Sequence, residues 1–371
     1  MLLTRRNIAS VIVATVVSVT AAVLPSSHPA LRTTAGITRP AGRWVTVTPP
    51  LGRVRTPIRV YMSNAEIRTV GRIHSMVGSL AVSREAPLLG HPVTWHIEPA
   101  AVASRTLALQ RNILLMLDRI IEESADVTRS WPIDIIVGRT QNFIRSTMDS
   151  LGCAPSLERF NGLVLMAAAV CGRHVIVSNI TGFLFLVRAD QRITSALESR
   201  PEPRIADTPY RIVMRNSSAL AHEYVHIWRA AGLQGLVRGD EPEWFSEGFA
   251  EFWSGVAKVV AYRGRVSWQT HHVVRERDFY DWANACTQPL RSLRTASPQS
   301  NGCEYHLGLI AVEYLYAMHH SLEKTIDAFR HAADYPTFAD GFLGTFGITL
   351  EQFESEAGDY IENLRRAQLG H

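Results

Sequence analysis

The chain has 371 residues, of which 38 are Lys or Arg and 34 are Asp or Glu, so its net charge is +4. This small excess comes with no run of Arg residues interleaved with aromatic residues, so the composition indicates no nucleic-acid partner. The length is sufficient for one large folded domain with a substantial core.

The first 24 residues have the pattern of an export signal. A short basic segment precedes an uncharged apolar run from Ile8 to Leu24, and small residues allow cleavage after Ala22. The pattern predicts a secretory signal peptide, so we expect the protein to be secreted or held at the outer face of the cell membrane. An uncleaved signal anchor is the alternative, because the run is short for a membrane span but long enough to form one.

Residues 25–55 are rich in Pro, Ser, Thr, Gly and Arg. Such a composition buries little apolar surface, so it predicts a flexible linker behind the export signal. The folded domain is then expected at 56–371, with an N-terminal lobe at about 56–233 and a C-terminal lobe at about 234–371.

Helical and strand patterns alternate in the N-terminal lobe. Ser104 to Val127 has apolar residues at helical spacing and predicts an amphipathic helix, while Trp131 to Val137 predicts a strand. Leu163 to Val170 is apolar throughout, and its spacing does not decide between helix and strand. Further runs of strand type are Pro57–Met62, Val93–Ile97, His174–Ser178 and Arg211–Met214. This order predicts a mixed sheet packed behind a helix.

That helix contains the string His222-Glu223-Tyr224-Val225-His226, within an apolar run. Residues four apart share one face of an α-helix, so His222 and His226 can converge on one zinc ion. Glu223 projects beside them, where its carboxylate can act as a general base toward the attacking water. The segment therefore predicts two zinc ligands and a base.

A catalytic zinc site needs a third protein ligand and one open position. Glu247 is the candidate, because it lies in a segment, 242–252, whose aromatic residues recur at helical spacing. Gly248 beside it allows another backbone to approach closely. The competing pattern H-E-x-x-H-x-x-G-x-x-H is excluded, because Arg229 and Gly232 stand where it needs Gly and His.

Glu251 lies one helical turn after Glu247. From there its carboxylate can accept a hydrogen bond from Nδ1 of His222 and fix the tautomer of that ring. The alternative is a solvated charge on the outer face of the helix.

Most of the chain after residue 252 has helical spacing. The predicted helices there are Val256–Tyr262, Tyr305–Met318, Leu322–Ala333 and Leu350–Arg366. They predict a mostly helical C-terminal lobe.

The four cysteines have no zinc-ribbon spacing. An even number in an exported chain favours disulfides, and neighbour pairing closes the shortest loops, joining Cys153 to Cys171 and Cys286 to Cys303. The alternative is four buried thiols.

The segment from His222 to Phe252 resembles the gluzincin metallopeptidases, specifically the peptidase MA-like domains. Their second motif, W-x-x-E-G-x-A, is shared with the M1 aminopeptidases and matches the chain from Trp244 to Ala250. The resemblance implies a zincin-like α+β fold. In that fold the mixed sheet and the H-E-x-x-H helix lie in the N-terminal lobe, and the zinc lies in the cleft between this lobe and the helical one.

The resemblance also implies a role for Tyr305, which begins the string Tyr305-His306-Leu307-Gly308. M1-type enzymes have Y-x-x-G at the head of such a helix, and its phenol stabilises the tetrahedral intermediate. Tyr305 is therefore a candidate catalytic residue. The alternative is a tyrosine that only packs at this position.

Together these features predict an exported, zinc-dependent peptidase with one Zn2+ per chain and a peptide or protein as substrate. The chain lacks a recognisable G-A-M-E-N segment and is too short for the additional β-rich domains of M1 aminopeptidases. Endopeptidase and exopeptidase action stay open, with M1-style aminopeptidase action disfavoured. The alternative is a catalytically silent zinc-containing module that binds peptides or has a structural role. Glu223 argues against this alternative, because binding alone requires no base.

Overall fold

The computed structural model of the chain describes residues 38–47, 57–80, 93–99, 105–125, 132–153, 166–170, 174–179, 218–232, 240–262, 266–273, 286–295, 302–319, 322 and 334–369. The predicted export signal, the predicted strand 211–214 and most of the predicted helix 322–333 lie outside these residues. Within them, no helix is long and apolar enough to cross a membrane.

A two-stranded antiparallel sheet is the first element of the described residues. Strand β1 (Gly42–Val47) pairs antiparallel with strand β2 (Ile58–Ser63), which places Trp44 opposite Tyr61. β1 is rich in aromatic and β-branched residues, which favour a pleated, half-buried strand. The predicted linker at 25–55 is therefore wrong for residues 42–47, which belong to the folded structure.

Helix α1 (Asn64–Ser79) follows β2 directly. Oγ of Ser63 accepts a hydrogen bond from the backbone N–H of Glu66 at 3.2 Å, and a carboxylate oxygen of Glu66 accepts one from the backbone N–H of Ser63 at 3.2 Å. This reciprocal pair is a capping box, which satisfies two backbone donors at the start of the helix.

A mixed sheet occupies the middle of the chain. Its strands are β3 (Val93–Ile97), β4 (Ile133–Gly138), β5 (Met166–Val170) and β6 (His174–Asn179). Helix α2 (Arg105–Ala125) lies between β3 and β4 in the sequence, and helix α3 (Gln141–Ser150) follows β4. The strand order is β3-β4-β6-β5, with β3, β4 and β6 parallel and β5 antiparallel to β6. The prediction of a mixed sheet is confirmed, and the undecided run 163–170 contains β5.

Helices dominate the rest of the described chain. They are α4 (Ala219–Gly232), α5 (Glu243–Ala261), α6 (Trp268–His272), a 3-10 helix (Leu290–Leu293), α7 (Cys303–His319), α8 (Phe338–Phe346) and α9 (Leu350–Leu369). The predicted helices around 222, 247, 305 and 350 are therefore confirmed as elements, and the run 256–262 falls almost wholly within α5.

The hydrophobic core joins the two predicted lobes. One cluster of buried residues includes parts of β1, β2, α1, α2, β4 and β6 and of the helices from α4 to α9. Helices α5 and α7 approach closely, because a Cβ built on Gly248 would lie 2.2 Å from the carbonyl carbon of Gly308. The two backbones therefore touch, as only glycine permits.

A fully buried ion-pair group links helices α1, α6 and α7. Nε2 of His272 in α6 lies 3.0 Å from Glu66 of α1, and its Nδ1 lies 2.9 Å from Glu313 of α7. The indole N–H of Trp268 donates to Glu313 at 2.6 Å. Burial alone lowers the pKa of His272, but the two carboxylates raise it to about 10, so the ring is charged at neutral pH.

The predicted bond between Cys286 and Cys303 is confirmed, with a Cα–Cα distance of 5.5 Å. It ties the segment before the 3-10 helix to the first residue of α7. Cys153 is also disulfide-bonded, and its predicted partner, Cys171, lies outside the described residues. The alternative of four buried thiols is wrong, since the described cysteines include no free thiol. Disulfides indicate an oxidising environment.

Candidate metal site

Two histidines of α4 point into the same buried space. His222 and His226 are four residues apart on this helix, and their Nε2 atoms lie 3.2 Å from each other. The hydroxyl of Tyr224, between them in the sequence, donates to Asp118 of α2, which anchors α4 from another side. The helix therefore presents both imidazoles to one point, as the spacing predicts.

Glu247 of α5 completes a triangle with these rings. Its Oε2 lies 3.1 Å from Nε2 of His222 and 3.5 Å from Nε2 of His226, and the residue is 0 % exposed. Tetrahedral zinc with ligands at about 2.0–2.1 Å holds its ligand atoms about 3.3 Å apart. The three atoms match that separation, so the structure brings together the three predicted ligands at a spacing that fits zinc.

The second carboxylate oxygen of Glu247 also indicates that this group of residues can bind a metal ion. Oε1 is buried and has no hydrogen-bond partner among the described residues. A buried carboxylate oxygen without a partner is costly unless a cation or a donor compensates it. Two imidazoles and one carboxylate are the donor set of a catalytic zinc site that keeps one position open.

The charges within this group shift the pKa values of its members. Burial lowers the pKa of His222, but the hydrogen bond that its ring donates to Glu247 and the charges of Glu251, Glu247 and Glu223 raise it to about 9. Burial raises the pKa of Glu247, yet His226 and His222 hold it well below its usual range. The pKa of His226 is lowered, mainly by burial. Glu247 is thus anionic and ready to bind a cation.

Glu223 is 2 % exposed and follows the first histidine of α4. Its charge contributes to the raised pKa values of both His222 and Tyr305. The predicted base therefore lies near the ligand group and near the phenol on α7, although it is not itself one of the three converging ligands.

Tyr305 lies beside the ligand group on the first turn of α7. Its ring stacks against the ring of His222 with 5.8 Å between centroids. Burial, with the charges of Glu247 and Glu223, raises the pKa of Tyr305 well above its ordinary value. The phenol therefore keeps its proton at neutral pH and can donate a hydrogen bond.

The contact between Gly248 and Gly308 accounts for this placement. Gly248 follows the ligand Glu247 on α5, and Gly308 comes one helical turn after Tyr305 on α7. Because these backbones touch, α7 carries its first turn up to the ligands. The predicted close approach at Gly248 is observed.

Glu251 lies where the sequence predicts a partner for His222. Its Oε1 is 3.6 Å from Nδ1 of that ring. This distance is too long for a good hydrogen bond but short enough for an electrostatic contact. Its charge is one cause of the raised pKa of His222.

Further carboxylates near the site were not singled out from the sequence. Burial, with the charges of Glu247, Glu304 and Glu241, raises the pKa of Glu243 to about 7. Glu243 begins α5 and Glu304 precedes Tyr305 on α7. In the sequence, the signal for Glu243 is its position before Trp244 of the second motif, and the signal for Glu304 is its position before Tyr305.

Neither a scan against protein-family models nor searches of curated proteins and of solved structures found a match. The resemblance to gluzincins therefore rests on the motifs between His222 and Phe252 and on the string that begins at Tyr305.

Proposed function

We propose that the protein is a zinc-dependent peptidase of gluzincin type, with a zincin-like fold and a peptide or protein as substrate. The observation that carries the proposal is the convergence of Nε2 of His222, Nε2 of His226 and Oε2 of Glu247 within 3.5 Å of one another. This donor set belongs to catalytic rather than structural zinc sites, which are closed by four protein ligands. One zinc ion per chain is proposed because one such group is found among the described residues.

His222, His226 and Glu247 would hold the zinc ion, and the bound ion would supply Lewis acidity toward the scissile carbonyl and water. Glu223 is the general base: its carboxylate takes a proton from the attacking water and passes it to the nitrogen of the departing amine. The buried setting strengthens its interaction with these protons, because little solvent competes.

Tyr305 has the second catalytic role. When water adds to the peptide carbonyl, negative charge develops on the carbonyl oxygen, and a donor aimed at that oxygen stabilises the transition state more than the substrate. The raised pKa of the Tyr305 phenol keeps the proton available for this hydrogen bond. The stacked contact with His222 places the phenol next to the ligand group.

The protein is proposed to work outside the cytoplasm. The bond between Cys286 and Cys303 and the disulfide at Cys153 support an oxidising compartment. The basic and apolar N-terminal pattern supports export by a signal peptide or a signal anchor.

The test compares two glutamates with different roles. Glu223→Gln should abolish hydrolysis of a peptide library while the protein retains about one zinc per chain, because Glu223 is a base and not a ligand. Glu247→Ala should lose the metal itself. Zinc content is measured by atomic absorption beside each activity assay. Zinc binding without any cleavage by the wild-type protein would favour the silent peptide-binding or structural module.

A further inference from the structure

Arg229 lies inside the protein at the end of the helix that carries both histidines. It is 2 % exposed and comes three residues after His226 on α4. One of its terminal nitrogens, Nη2, donates to the carboxylate of Glu241, and the other, Nη1, donates to Oγ of Ser246 at 2.6 Å. The guanidinium thus reaches from α4 to the segment in which α5 begins.

The second of these contacts ends next to the third metal ligand. Ser246 immediately precedes Glu247 in the sequence, and both belong to α5. His226 and Arg229 lie within one turn of α4. The Arg229 side chain therefore connects the backbone beside one ligand to the backbone beside another.

The burial of the ion pair between Arg229 and Glu241 indicates a structural role. Arg229 and Glu241 are both largely removed from solvent, and taking two charges out of water is costly unless geometry and hydrogen bonding are good. Burial raises the pKa of Glu241, whereas Arg229 acts to lower it. The planar guanidinium, with donors in a fixed fork, can bind two acceptors at once, which lysine cannot do in the same way.

Other contacts hold the same segment from the C-terminal helices. The side chain of Asp240 accepts a hydrogen bond from the backbone N–H of Phe338, at the start of α8, at 2.8 Å. The backbone N–H of Glu243 donates to the carbonyl of Arg294 at 3.0 Å. These contacts hold residues 240–246 next to α8 and the end of the 3-10 helix, whereas the Arg229 contacts hold the same residues next to α4.

We propose that Arg229 is a positioning residue that holds Glu247 at zinc-ligand distance from the two histidines. The inference rests on the proposed metal site and adds a residue that fixes how its two ligand-bearing helices meet. Residues that orient metal ligands typically change metal affinity by about 10- to 100-fold when they are replaced. We expect a loss of this size when the link from Arg229 is removed.

The test measures zinc affinity by competition with a chromophoric chelator, together with the thermal stability of the metal-free protein. The double variant Arg229→Gln, Glu241→Gln removes both buried charges together, so no unpaired charge stays buried. Its zinc dissociation constant should rise about 10- to 100-fold while the protein stays folded. Ser246→Ala removes only the acceptor next to Glu247 and should give a smaller rise.

The matched control removes an Arg and a Glu from the surface of α9. Arg366 and Glu362 form a partly exposed pair there, and changing both to Gln should leave the zinc dissociation constant unchanged. Arg229→Lys keeps the positive charge without the fork and should also bind zinc more weakly than the wild type. This variant still tests the inference if the double variant does not fold.

Two outcomes separate this inference from the proposed function. If the wild-type protein bound no zinc, the proposed function itself would fail. If the wild type bound zinc and the folded Arg229 and Ser246 variants bound it within twofold of the same affinity, only the positioning role would be overturned. Absorption spectra of the Co2+-loaded proteins give a second readout, because coordination geometry changes the spectrum even where folding is intact.

Discussion

Replacing Gly308 with alanine should force apart the two helices that carry the candidate site. A Cβ at this position would lie 2.1 Å from the backbone oxygen of Trp244 and 3.1 Å from Cα of Gly248. Contacts of a Cβ below 3.0 Å essentially never occur, and these neighbours are backbone atoms that cannot rotate away. α5 and α7 must therefore separate by about 0.9 Å, the difference between 3.0 and 2.1 Å.

This separation has an energetic and a catalytic consequence. Overpacking of a well-packed interior costs about 1–3 kcal/mol in the free energy of unfolding. Tyr305 lies one turn before Gly308, with its ring 5.8 Å from that of His222. A misplacement of about 1 Å in a catalytic group can cost about a hundredfold in turnover. We therefore expect Gly308→Ala to lower both the free energy of unfolding and the turnover of the proposed peptidase.

Denaturant unfolding and steady-state turnover test this prediction beside a control glycine. Gly71 lies on the exposed side of α1, where a Cβ would meet no described atom within 4 Å outside its own helix. Gly71→Ala should increase the free energy of unfolding by about 0.5–1 kcal/mol, because alanine favours a helix interior. Turnover should not change. If Gly308→Ala matched Gly71→Ala in both measurements, the proposed role of the helix contact would be refuted.

Three further predictions concern the phenol, the buried ion pairs and the disulfide. Tyr305→Phe should keep its zinc and lose about a hundredfold or more in turnover, with a smaller change in KM; near-normal turnover would mean that the ring only packs. His272 has a folded pKa of about 10 against 6.5 in the unfolded chain, so its stabilisation is complete below pH 6.5 and is lost as pH rises to about 10. The free energy of unfolding should fall by on the order of 4 kcal/mol over this range, and His272→Gln should show a flatter dependence. Reducing the bond between Cys286 and Cys303, which are 17 residues apart, should cost about 3 kcal/mol in unfolding experiments.

The convergence of His222, His226 and Glu247 could be predicted because each residue lies in a short pattern. His222 and His226 share a face of any helix through their spacing alone, and the sequence around Glu247 predicts a second apolar helix. What the patterns do not contain is the relative position of the two helices. That position depends on contacts such as Gly248 with Gly308, which are 60 residues apart in the sequence.

Two elements near the N-terminus were missed for different physical reasons. α1 contains glycines and β-branched residues that weaken a helical pattern, yet Ser63 and Glu66 form the capping-box spacing that signals its start. β1 lies among Pro- and Gly-rich residues, which hide a short strand that is stabilised by pairing with β2. Tertiary contacts decide both cases.

The contacts of Arg229 could not be predicted from the local sequence pattern. In the sequence, Arg229 helps only to exclude the H-E-x-x-H-x-x-G-x-x-H pattern, because it stands where that pattern needs a glycine. In the structure it is buried, with its charge directed to Glu241 and its second donor to Ser246. A buried arginine is rare, and its partners lie 12 and 17 residues away, beyond the range of helical spacing.

The balance of buried charge gives an independent reason to expect a cation at the site. Glu247 is inaccessible to solvent, and a buried carboxylate needs compensation. Histidines that bind a metal through Nε2 are neutral, so His222 and His226 cannot offset the charge of Glu247 in the loaded state. A divalent ion at the meeting point of His222, His226 and Glu247 would balance this negative charge. It would also satisfy Oε1 of Glu247, which has no hydrogen-bond partner among the described residues.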